Sequence, residues 1–138
     1  MKEVKALLVR TTGAVEPLLI PAVDGHKVIH ENVGGWFDVV RGDDFVAYVH
    51  DEGLLIPLEP NLAISALFRQ VIAGDVVIVG SLDENGNYDG ENYDAPERFF
   101  DLSFAKASRK VAGDEEAKQG WEELRTAIID RGPIVTSW

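Results

Sequence analysis

Three histidines and two groups of carboxylates are the side chains of this sequence equipped for chemistry. His50, Asp51 and Glu52 stand in a row, a base beside two acids. General acid–base work needs such groups to converge on a pocket. Neighbours in a strand point to opposite faces, so the row reads instead as a polar rim closed by the Asp51-Glu52-Gly53 turn. His26 and His30 lie four apart, a spacing that puts two imidazoles on one helix face as in zinc-binding helices. Joined by His50, they sketch a three-histidine metal site for a small metal-dependent hydrolase. Lys27 stands where a metalloprotease helix carries glutamate, and its charge opposes a cation.

The second carboxylate group lies in "DENGNYDGENYD". Asp83, Asn85, Asn87, Asp89, Glu91 and Asp94 fall on the ligand ladder of a calcium loop. Tyr88 occupies the place of the turn glycine, and Asp94 that of the longer closing glutamate. Asn-Gly also marks a hairpin tip, and an acidic turn explains the segment without calcium. The five serines, Ser65, Ser81, Ser103, Ser108 and Ser137, lie outside any nucleophile elbow. The chain contains no cysteine, which excludes disulfides, thiolate metal sites and a cysteine nucleophile. The residues therefore name no cofactor.

The elements that must position these groups follow from periodicity. Val4–Arg10 reads as a strand, and Glu16–Pro21 as an edge strand, because proline suits only a sheet edge. Asp24 is placed to cap a short helix through His26, Val28, Ile29 and Val33, ending at Gly34 or Gly35. "WFDVVR" and "FVAYVH" alternate on either side of "GDD", a hairpin. "LEPNLAISALFRQVIAG" changes to a helical period, with Asn61 as N-cap and Gly74 as its left-handed stop. "DVVIVG" is a strand buried on both faces. Residues 81–94 form a polar loop or hairpin tip. "PERFFDLSFAKASRKVA" is mostly helical. Asp114 opens an amphipathic helix striped by Ala117, Trp121, Leu124 and Ile128, which Gly132-Pro133 should end. The order predicts one α+β domain over residues 1–138. Its sheet is mostly antiparallel, with about four to six strands, helices on one face and a C-terminal amphipathic helix.

"YVHDEGLLIPLEPNLAISALF", "IAGDVVIVG" and "DAPERFF" together resemble a family of small uncharacterised proteins of actinobacterial phages and mobile elements. The likeness rests on the Asp51-Glu52-Gly53 turn, the Glu59-Pro60-Asn61 helix start with Ala63, the Gly-Asp strand and the Pro96-Glu97 exit. It covers roughly residues 1–100, leaving 101–138 as a helical extension. The resemblance implies a phage-type, intracellular setting and carries over no catalytic residue.

The formal net charge is −11, and residues 81–94 hold five carboxylates and no base. Such a chain is repelled by nucleic acid and by anionic membranes. Its apolar runs fall short of the roughly 20 residues that span a bilayer, and its N-terminus lacks the pattern of a secretory signal. These features point to a non-enzymatic cytoplasmic module that binds a host protein; in one version of this reading its acidic face stands in for nucleic acid. The expected contact surface joins Trp36, Tyr48, Tyr88, Tyr93 and Phe99 to Asp51, Glu52, Asp83, Glu84, Asp89, Glu91 and Asp94. An uncovered strand would also allow a homo-oligomer.

Overall fold

The computed structural model describes residues 3–21, 23–56, 58–81 and 93–135, with side chains as far as residue 130. Among these residues five strands form one fully antiparallel sheet: β1 (Glu3–Val9), β2 (Val15–Pro21), β3 (Phe37–Arg41), β4 (Phe45–His50) and β5 (Val76–Gly80). Their spatial order is β2-β1-β5-β4-β3. Four helices accompany them: α1 (Gly25–Val33), α2 (Leu62–Phe68), α3 (Leu102–Ala112) and α4 (Glu115–Val135). A 3-10 turn at Glu97–Phe100 leads into α3. The expected α+β class and antiparallel sheet are what the chain adopts.

The cover of the sheet differs from expectation: helices pack on both faces, not one. Alternate residues of β1, β4 and β5 (Val4, Ala6, Leu8, Val46, Tyr48, Val77 and Val79) meet Ile29 and Val33 of α1. Their neighbours Leu7, Val9, Phe45, Ala47, Val76 and Ile78 meet Ile64 of α2, Phe99 and Phe104. The cause is written in β5, where every residue is buried. An unbroken apolar strand must be covered above and below.

Both outer strands are blunted. Arg10 N–H donates to the Ala14 carbonyl, which sets the hydrogen-bonded alternation of β1 with β2. Counted from that pair, Pro17 and Pro21 fall where backbone groups face the open edge, so neither offers an N–H donor there. At the opposite edge the Asp38 carboxylate accepts from the Val39 N–H at 3.0 Å.

Four helix ends show how local chemistry resolves. Asp24 sits at the start of α1 but adopts φ 61° and makes no side-chain cap bond; its carboxylate lies 3.7 Å from Lys27 Nζ. Asn61 caps α2 as expected, accepting from Ile64 N–H at 3.1 Å. That helix stops at Arg69, φ 54°, well before Gly74. The reason is Ser65: its hydroxyl both donates to the Ile72 carbonyl and accepts the Ile72 N–H, drawing the chain back on itself. Helix α4 runs to Val135, past the Gly132-Pro133 pair expected to end it.

Helix α4 packs through Trp121, which is buried with Leu62 and Ala73. Its chain neighbour Gly120 has no atom from outside its own helix turns within 4 Å of the position a Cβ would take. Glycine in a helix interior sacrifices about 0.5–1 kcal/mol relative to alanine. Gly120→Ala should therefore raise stability by about that amount, read as a higher urea midpoint at unchanged slope.

Candidate functional site

Among the described residues, each histidine singled out for chemistry sits where its element puts it, and two of the three are already engaged. Ile29 and Val33 turn α1 toward the sheet. His26 is left exposed and His30 half-buried. The His30 ring meets Trp36 edge-on, with centroids 4.8 Å apart. His50 ends β4 with its side chain 9% exposed. Its Nδ1 accepts the Glu52 N–H at 3.0 Å, so neutral His50 carries its proton on Nε2. The Asp51 carboxylate lies 3.8 Å from the same Nδ1. The imidazole rests on Gly35, where an added Cβ would come within 2.6 Å of Nε2. Any larger residue there would push the ring aside.

The three imidazoles are thus not gathered. Among the described residues no group of three or more His, Asp or Glu side chains is arranged to hold a metal ion. The physical reason is local: one imidazole leans on an indole, and another has its inner nitrogen taken by the backbone. A cavity of about 360 Å³ lies beside the hairpin end, and His50, Asp51 and Glu52 all line it, together with Asp38, Leu55 and Ile128 among others.

The expected contact surface divides. Trp36, Asp51 and Glu52 come together, because Asp51 N–H donates to the Trp36 carbonyl at 3.1 Å and extends the hairpin by one pair. Trp36 is 71% exposed, and both acids are exposed. Tyr48 does not join them. It is 2% exposed on the α1 face, with its ring edge-on to Phe37 at 5.0 Å. Strand alternation, which places Tyr48 with Val46, sends it inward. Tyr93 and Asp94 lie at the far end of the sheet, where Gly80 N–H donates to the Tyr93 carbonyl and Gly80 faces Phe45. The length of β4 separates the two ends by roughly 17 Å. Asp83, Glu84, Tyr88, Asp89 and Glu91, and with them the calcium ladder, lie outside the described residues.

Two features escaped sequence reasoning. Arg125 of α4 donates to the carbonyls of Leu54, Ile56 and Leu58, fixing the loop that follows the Asp51-Glu52-Gly53 turn. Nothing in a lone arginine on an exposed helix signals this. Leu55, Leu124, Ile128 and Ile129 are exposed around it. The pair Ile128-Ile129 widens the stripe of α4 beyond what one neighbour covers, and that signal was available. A groove of about 860 Å³ runs between α2 and α4, with Trp121 and Leu124 among its walls.

The best-formed ion pair is remote from this surface. Arg98 grips Asp44 with two hydrogen bonds and lies over the Phe99 ring at 4.8 Å. The Arg98 hydrogen bonds hold the Asp44 carboxyl below its ordinary range. Its folded pKa being depressed, the pair stabilises above the unfolded value of about 3.9 and loses that contribution as pH falls through the folded value. Both side chains are over a third exposed, so the contribution is no more than about 1 kcal/mol. Arg98→Gln should flatten this part of the acid limb of a stability–pH curve and leave the neutral slope unchanged.

A family model described as a domain of unknown function (DUF3846) matches residues 4–101. No curated protein and no solved structure matches the chain.

Proposed function

The chain belongs to the DUF3846 family, a domain of unknown function, and from that premise we propose that it is a non-enzymatic binding module. It serves a phage or mobile element by engaging a host macromolecule, a host protein, in the cytoplasm. The observation that carries this reading is Trp36: its residue is 71% exposed, its ring meets His30 edge-on, and its backbone carbonyl is fixed by the Asp51 N–H. A large apolar ring kept in water by an ordered frame is the kind of anchor that dominates interfaces. Its entropy is spent before binding, which favours affinity. Asp51 and Glu52 beside it suit a basic partner surface. Nucleic-acid mimicry is the sharper form of this reading, and it draws on the carboxylates of residues 83–94.

The test is capture from host lysate by wild-type and Trp36→Ala protein. Loss of an anchor of this type corresponds to roughly tenfold weaker binding or more. The variant should melt as the wild type does, because so exposed a ring contributes little to the core. A partner retained in full by Trp36→Ala would overturn the reading. For mimicry, neutralising Asp83, Glu84, Asp89, Glu91 and Asp94 together should abolish capture.

A further inference from the structure

The face that packs against α2 and α3 is not covered to its end. Register places Leu19 beside Lys5, on the same side as Leu7 and Val9 but outside the core cluster they form. A groove of about 660 Å³ opens there between the β1–β2 corner and the segment from Asp94 to Asp101. Its apolar surface is left bare: Leu19 is 55% and Phe100 39% exposed. Its rim is acidic. Asp94 spends one carboxylate oxygen on the Lys5 N–H, at 2.8 Å. Glu97 and Asp101 make no ion pair among the described residues. Asp101 stands at the start of α3, yet its side chain makes no cap bond. Three carboxylates thus surround the groove against one ammonium, that of Lys5.

We infer that this groove docks a basic amphipathic protein segment. Its apolar side chain would cover Leu19 and Phe100, and flanking Lys or Arg would meet Asp94, Glu97 and Asp101. The charge pattern selects such a segment over an acidic peptide or nucleic acid, and the net charge of −11 steers it in. The site lies at the opposite end of the sheet from Trp36, and it shares only Asp94 with the mimicry form of the reading given above.

The probe is a fluorescein-labelled amphipathic peptide of Lys and Leu, paired with the same peptide carrying Glu for Lys, followed by anisotropy. The Lys peptide should bind and weaken with salt; the Glu peptide should not bind. Glu97→Lys with Asp101→Lys should weaken binding roughly tenfold or more. Glu122→Lys with Glu123→Lys, an equal charge change on α4, should stay within about twofold. Phe100→Ser should also weaken binding, and Leu19→Ser serves if circular dichroism shows that the first variant misfolds. Equal weakening by the two charge pairs would reduce the effect to bulk attraction and overturn the assignment. So would unchanged binding after both apolar substitutions.

Discussion

The Asn61→Asp variant will lose roughly 3–5 kcal/mol of stability, although the substitution keeps shape, keeps an N-cap acceptor and adds a charge that a helix N-terminus ordinarily favours. Asn61 is fully buried. Its side-chain oxygen takes the Ile64 N–H, and its amide nitrogen donates to two carbonyls, Val9 and Gly74, each at 3.0 Å. One residue therefore ties the start of α2 to the end of β1 and to the turn before β5. Aspartate preserves the first bond and reverses the other two, setting a carboxylate against two carbonyl oxygens. Were Asn61 only a cap, aspartate would be neutral or stabilising and alanine would forfeit about 1 kcal/mol. With the donors counted, alanine also strands two acceptors, and aspartate is the worse of the two.

The effect carries a pH signature. Burial between carbonyls raises the folded pKa of the introduced carboxyl above its unfolded value of about 3.9. The variant is then least impaired below that value, where the protonated acid can still donate one bond. It loses stability as pH rises through the folded pKa. Urea midpoints of wild type, Asn61→Asp and Asn61→Ala at pH 4 and pH 7 read all of this, with slopes unchanged. If aspartate matches the wild type at pH 7, the amide does not donate as described. A domain of this size has about 5–15 kcal/mol in total, so the variant sits near the edge of folding.

Asn61 also marks what the sequence could and could not disclose. Its capping role was legible because a cap is a local event, completed within three residues. Its two carbonyl partners lie 52 and 13 positions away, and no pattern around Asn61 announces them. The same division runs through the fold. Prolines 17 and 21 foretold an edge strand, since a missing N–H has one tolerable place. The apolar run of β5 foretold burial on both sides, which already conflicted with helices on one face; the conflict was visible and the structure resolves it. The early stop of α2 was hidden, because a serine hydroxyl reaching Ile72 outweighs the pattern that continued to Gly74. For the site, alternation alone was enough to send Tyr48 inward, whereas the bond that brings Trp36 beside Asp51 depends on hairpin register. The Glu52 N–H on His50 Nδ1 is the kind of short contact that turns a candidate base into part of a turn.

The second large effect concerns α4, one of the two helices outside the family domain. Trp121→Ala should lower stability by roughly 3–5 kcal/mol, the usual consequence of emptying a buried indole site. In a domain of this size that corresponds to a melting temperature lower by roughly 10–20 °C. Trp121 is 5% exposed, packs with Leu62 and Ala73, and donates from Nε1 to Ser65 Oγ at 3.0 Å. Ser65 is the residue that folds the chain back after α2, so the indole supports an element of the family domain itself. The loss should accordingly appear as one cooperative transition shifted down, not as a separate early melting of α4. A family domain that melts at its original temperature after α4 has come away would show that α4 is a dispensable appendage. Arg125 gives the companion test. Its planar fork reaches three carbonyls, an arrangement that lysine cannot copy with a single ammonium. Arg125→Lys should leave α4 docked through Trp121 but free the loop, with faster amide exchange at Leu55 and Ile56, whose N–H groups both rest on the Glu52 carbonyl. Because that loop begins at Glu52, the same variant joins stability to function. Weaker capture of the Trp36-dependent partner by Arg125→Lys, with the core intact, is expected if α4 holds the acidic half of the contact surface in place.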